Sequence, residues 1–205
     1  MTKSLRTKMT KVAAVLLAGA WLPHLPAHGA ELTVKVRIPR IEVAEYHRPF
    51  VVIWIERADE QKILRNLAVW YQIDPEKDDG TQWLKDLRQW WRRGGKEAAT
   101  PTDAYTGATS VGSSPSKLRV APAMPIDAVT GATRPVGEHR LIFKTGAAPL
   151  GTLAPGKYNL TLEAARENGG RELLRIPFEW PATSQVSTSA QGKTEFGRVT
   201  LEINP

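Results

Sequence analysis

Apolar residues in this chain come in strand-length bursts separated by turn formers, and that rhythm constrains the fold more than any other feature. Leu32, Val34, Val36 and Ile38 alternate with polar residues, the period of a strand buried on one face. Phe50-Val51-Val52-Ile53-Trp54-Ile55 is unbroken, which predicts a strand covered on both faces. Asp59-Glu60 supplies a turn, and Ile63 to Tyr71 predicts the partner strand. Further strands are expected at Arg140–Lys144, Lys157–Ala165, Glu172–Trp180 and Phe196–Ile203, with turns at Pro155-Gly156 and Asn168-Gly169-Gly170. One short helix is expected from a Thr81 cap through Arg93, with Trp83, Leu87, Trp90 and Trp91 near helical spacing and Gly94-Gly95 ending it. Seven or so strands and one helix predict an all-β fold, an immunoglobulin-like β-sandwich. Neither a βαβ rhythm nor a GxGxxG is present, which argues against a Rossmann-type nucleotide fold.

The first 30 residues read as a secretory signal peptide. Lys3, Arg6, Lys8 and Lys11 form a basic lead, Val12 to Leu22 is apolar, Pro23 stops it, and small residues follow at Ala27, Gly29 and Ala30. The apolar run is too short to span a bilayer, so no stable membrane insertion is expected after cleavage. Export predicts a periplasmic location. The formal charge of +7 falls to +3 once the leader's four cations are set aside, which calls for no nucleic-acid partner. The 205 residues leave one domain, 31–205, in which 94–135 is rich in Gly, Pro, Ser, Thr and Ala and is expected to be an irregular loop. No cysteine is present, which removes disulfides, thiolate metal sites and cysteine nucleophiles, and four histidines are too few and scattered for a multi-histidine metal site.

Inside that loop the sequence repeats itself. Asp103-Ala104-Tyr105-Thr106-Gly107-Ala108-Thr109 and Asp127-Ala128-Val129-Thr130-Gly131-Ala132-Thr133 match at six of seven positions, 24 residues apart. Asp followed by Thr-Gly is ordinary turn chemistry, because the carboxylate accepts backbone N–H bonds and glycine allows positive φ. A chance match to the pattern D-x-x-S/T-G-A-S/T is on the order of one in a thousand per chain at ordinary residue frequencies.

The pattern resembles the acceptor tag of FAD:protein FMN transferases, known from the flavin subunits of sodium-pumping NADH:quinone oxidoreductase, the Rnf complexes and FMN-binding domains. The resemblance implies that the final hydroxyl is esterified to the FMN phosphate, so that Thr109 and Thr133 would be the acceptors of one or two covalent FMN groups. Asp103 and Asp127 would be the acids of the recognition motif. Thr106, Gly107 and Ala108, with Thr130, Gly131 and Ala132, would complete it. A second resemblance covers nearly all of 31–205. VVIWIE at Val51–Glu56, LAVWYQ at Leu67–Gln72, WLKDLRQWWRR at Trp83–Arg93, DAVTGATRPVGEH at Asp127–His139 and APGKYNLTLEAARENGGREL at Ala154–Leu173 resemble the predicted periplasmic proteins of domain of unknown function 2271. It implies export and a setting with flavin transferases and membrane flavoreductases.

The expectation is therefore an exported electron carrier, itself the substrate of an FMN transferase, receiving electrons from a membrane flavoreductase or other redox protein. Two alternatives stay open: a non-redox binding module, and a flavin-dependent reductase with its own substrate pocket. Among the remaining candidates, the tryptophans fit core packing better than flavin stacking. Arg88, Arg92 and Arg93 fit a solvated helix face. Asp74 to Gly80 resembles an EF-hand loop, but Asp79 stands where glycine is needed and Lys85 where an acid belongs, so it reads as a turn. His47 and His139 are expected to make structural hydrogen bonds, with His139 close to the second tag.

Overall fold

The alternation in β1 (Glu31–Ile38) becomes a strand whose Leu32, Val34, Val36 and Ile38 are buried. In the computed structural model, which describes residues 29–71, 80–96 and 129–205, eight further strands follow. They are β2 (Phe50–Arg57), β3 (Ile63–Tyr71), β4 (Val129–Ala132), β5 (Gly137–Lys144), β6 (Gly156–Ala165), β7 (Arg171–Trp180), β8 (Val186–Gln191) and β9 (Arg198–Asn204). Two sheets form, ordered β5-β1-β9-β8 and β4-β3-β2-β6-β7. Every described pairing is antiparallel except β3 with β4. The fold is the expected all-β sandwich.

Both faces of β2 are covered. Val51, Ile53 and Ile55 join Leu32, Val34, Trp70, Phe143, Leu160, Leu162 and Leu201 between the sheets. Phe50, Val52 and Trp54 point the other way and meet Val69, Leu84, Leu87 and Trp90. The second layer is supplied by the helical stretch, which lies as a flap on the outer face of the five-stranded sheet. Without it, β2 would expose large apolar side chains at roughly 1.5–3 kcal/mol each.

That stretch differs from the expected helix. It consists of a 3₁₀ turn (Gly80–Asp86), a single α-turn, α1 (Arg88–Trp90), and a π-turn (Trp91–Gly95). The break comes at Leu87, whose φ −77° and ψ 68° leave the helical region. It aims the backbone N–H groups of Gln89 and Trp90 at the Glu163 carboxylate, at 3.0 and 2.8 Å. A contact from β6 thus overrides local helix preference. Gly95 is buried against Trp90, where an added Cβ would run into the indole. Trp90 itself is fully buried and donates its Nε1–H to Asn66 Oδ1 at 2.8 Å, so it is core, as are Trp54, Trp70 and Trp180. Trp83 stays exposed at 40%, with Lys85 Nζ 5.9 Å from its ring centroid.

Arg88 and Arg92 are exposed as expected, but Arg93 is not part of a solvated face. Its guanidinium pairs with Glu56 at 2.8 Å, because Glu56 ends the outer-facing row of β2 with no water to solvate it. The expected irregularity of 94–135 also needs correcting at its end, where Val129–Ala132 is a strand. β8 was not foreseen at all: Val-Ser-Thr-Ser-Ala-Gln carries little apolar signal and is held by its pairing with β9.

Candidate functional site

The second tag is built into the sandwich. Val129, Thr130, Gly131 and Ala132 lie parallel to Ala68, Val69, Trp70 and Tyr71, so the Thr-Gly-Ala segment is an edge strand and not the turn its composition allows. A parallel neighbour requires a long connection, which the sequence separation of Tyr71 from Val129 allows. Thr133 extends the ladder by one bond, its N–H donating to the Tyr71 carbonyl at 3.1 Å. The chain then leaves the five-stranded sheet and enters β5 at the edge of the other one. Thr133 is thus a half-buried hydroxyl residue at the seam between the sheets, fixed through its backbone.

The residues after the tag fold back over β3. Arg134 places its guanidinium carbon 5.5 Å from the Trp70 ring centroid, and the His139 ring meets the same indole edge-on at 5.8 Å. His139 Nε2 lies 2.8 Å from the Pro135 carbonyl oxygen, the structural hydrogen bond expected of it. His47 lies 3.2 Å from Glu45 and 3.6 Å from Glu167. Trp70 is buried and its indole nitrogen has no hydrogen-bond partner among the described residues. Arg134, always a cation, stands beside the Thr133 hydroxyl in sequence and is exposed, which suits it to neutralise an anion attached there. Sequence reasoning did not single out Arg134; its place directly after the last threonine of the tag was the available signal.

Asp127 and the whole first tag, with Asp103, Thr106, Gly107, Ala108 and Thr109, lie outside the described residues, as does the Asp74–Asp79 stretch. Among the described residues no group of three or more metal-ligating acidic or histidine side chains is brought together, and no helix is long and apolar enough to cross a membrane.

Three glutamates elsewhere in the sandwich are held by buried or backbone hydrogen bonds. Burial pushes Glu163 above the ordinary carboxylate value, and the Gln89 and Trp90 N–H groups oppose that rise. Glu195, almost fully buried, forms a two-point pair with Arg166 at 3.1 and 3.2 Å and accepts from the Gly170 N–H. Burial also pushes Glu172 up, but backbone N–H donors from Lys193, Thr194, Glu195 and Phe196 outweigh it and hold the carboxyl below its ordinary 4.5. A depressed folded-state value means the Glu172 anion stabilises the fold above the unfolded value and loses that contribution as pH falls through the folded one. Urea unfolding should therefore show Glu172→Gln to be destabilised at neutral pH, with the gap to wild type closing in acid. A gap that does not change with pH would contradict this.

The family model for predicted periplasmic proteins, DUF2271, matches residues 31–118 and 116–198. The chain belongs to this family. Membership places it in the periplasm, the location expected from the sequence of residues 1–30. The first tag falls within the first matched segment and the second tag within the second, so both are inside the family's span. No curated protein and no solved structure matches the chain.

Proposed function

We propose that this DUF2271 member carries FMN in phosphoester linkage on Thr133, with Thr109 as a second acceptor, and relays electrons in the periplasm. The observation that carries the reading is the position of Thr133. The last residue of the tag ends the β4 ladder at the seam of the sandwich, with its backbone anchored and a permanent cation next to it. These residues suit the group: a phosphodiester on Thr133 bears a negative charge that Arg134 can meet.

A threonine hydroxyl is a weak nucleophile, so the FAD:protein FMN transferase must supply base and metal. In that transfer the threonine Oγ bonds to the FMN phosphorus, the pyrophosphate P–O bond of FAD breaks, AMP leaves, and the hydroxyl proton passes to the enzyme. Bound FMN supplies one- and two-electron redox chemistry, and the protein supplies attachment, orientation and field. Outside the cytoplasm a dissociable cofactor would be lost by dilution, and the ester prevents that. Electrons would arrive from a membrane flavoreductase or another redox protein.

Co-production with an FAD:protein FMN transferase tests the reading. Flavin fluorescence should persist on the chain in a denaturing gel, together with an intact mass raised by one or two FMN. A colourless chain with the bare processed mass would refute it.

A further inference from the structure

The connection between β1 and β2 and the connection between β4 and β5 together wall a cleft of about 720 Å³. Ile41, Val43, Tyr46 and Val136 give it an apolar lining, and Arg40 and Glu42 add charge. Resting on the acceptor reading above, we infer that this cleft receives the isoalloxazine ring of an FMN tethered at Thr133.

Its size lies within the roughly 300–1,000 Å³ of clefts that hold cofactor-sized ligands. Its lining is unusual for this surface. Val43 is 43% exposed and Val136 44% exposed, and both face the same cleft. Isolated exposed valines need no explanation, but two converging on one cleft suit an apolar ligand. Tyr46 is half-buried and lines the cleft, while its hydroxyl is sealed from solvent and has no hydrogen-bond partner among the described residues. Burial, followed by the negative charge of Glu195, holds that hydroxyl protonated to higher pH than usual. The ring is thus the part of Tyr46 that meets a ligand, offering a flat neutral face for stacking.

The tether fits as well. Val136 is three residues beyond Thr133, at most about 11 Å along the chain. An extended ribityl phosphate of about eight single bonds advances roughly 1.3 Å per bond and so reaches on the order of 10 Å. Arg40 and Glu42 both line the cleft and offset one another in charge, so the apolar side chains are what it offers the ring.

The test uses the full chain loaded by a transferase, with FMN quantified by intact mass and fluorescence recorded per bound FMN. Aromatic stacking quenches flavin emission, so the native wild type should be several-fold dimmer than the same sample unfolded in urea. Val136→Glu, at an exposed position, should recover most of that emission and lower the flavin anisotropy, while Tyr46→Phe, which keeps the ring, should stay quenched. Equal emission before and after unfolding at full FMN occupancy, or an unchanged signal in Val136→Glu, overturns the cleft and leaves the acceptor reading standing. Absence of FMN from the wild-type mass overturns both.

Discussion

Thr133→Ala is expected to give a normally folded chain that carries one FMN fewer than wild type. The substitution removes the hydroxyl and the γ-methyl and leaves the backbone in place. The bond to the Tyr71 carbonyl uses the backbone N–H, which alanine retains. Thr133 is half-buried, so the loss of stability should be about 1 kcal/mol or less, the centre of the range for single substitutions. Thr133→Ser keeps a hydroxyl on Cβ, primary in place of secondary, and should retain the adduct. Thr109→Ala should remove the second FMN, and the double alanine variant should remove all. Intact mass after co-production with the transferase reads each outcome directly. Full FMN occupancy in Thr133→Ala would show that the acceptor is elsewhere and would dissolve the assignment of the seam. Loss of FMN together with unfolding in urea at much lower denaturant would instead mark Thr133 as structural.

The parts of the fold that could be read in advance are those in which one segment carries its own signal. β3 runs from Ile63 to Tyr71, as its composition predicts, and β2 is apolar along its length because each face has its own cover. The parts that could not be read depend on partners far away in sequence. Gln89 and Trp90 answer to Glu163, more than 70 residues away, and this contact turns a plausible helix into three short pieces. β4 consists of residues that favour turns, and only the ladder offered by β3 makes them a strand. The same asymmetry holds at the site. The repeated tag points to Thr133 from sequence alone, whereas Arg134 over Trp70, and a cleft that joins Val136 to residues 40–46, depend on β4 pairing with β3.

Glu56 is where the flap is most exposed to a single substitution. Its side chain is wholly buried, and each carboxylate oxygen is committed. Oε2 accepts from Arg93 Nη1 at 2.8 Å and Trp54 Nε1 at 3.1 Å, and Oε1 accepts from Arg175 Nε at 3.0 Å. Arg93 comes from the flap, Trp54 from β2 and Arg175 from β7, so one carboxylate ties the outer layer to two strands. Such a cluster adds little stability relative to a well-packed apolar core, but removing one member leaves the others desolvated without a partner, at a cost of about 3–5 kcal/mol. Glu56→Ala takes the carboxylate from the Arg93 cation, 14% exposed, leaving it the neutral Gln61 Oε1 at 2.8 Å, and strands a buried indole N–H, so it should reach that range in urea unfolding. Arg93→Ala should cost more than Arg175→Ala, because the Arg175 side chain is 38% exposed and its pair is already shared with water. A double-mutant cycle between Glu56 and Arg93 should give a coupling larger than that between Glu56 and Arg175. Equal couplings, or a Glu56→Ala chain as stable as wild type, would mean that the flap is held by Leu84, Leu87 and Trp90 alone. In either case Thr133 should still accept FMN from the transferase, since its anchor is the Tyr71 carbonyl on β3 and not the flap.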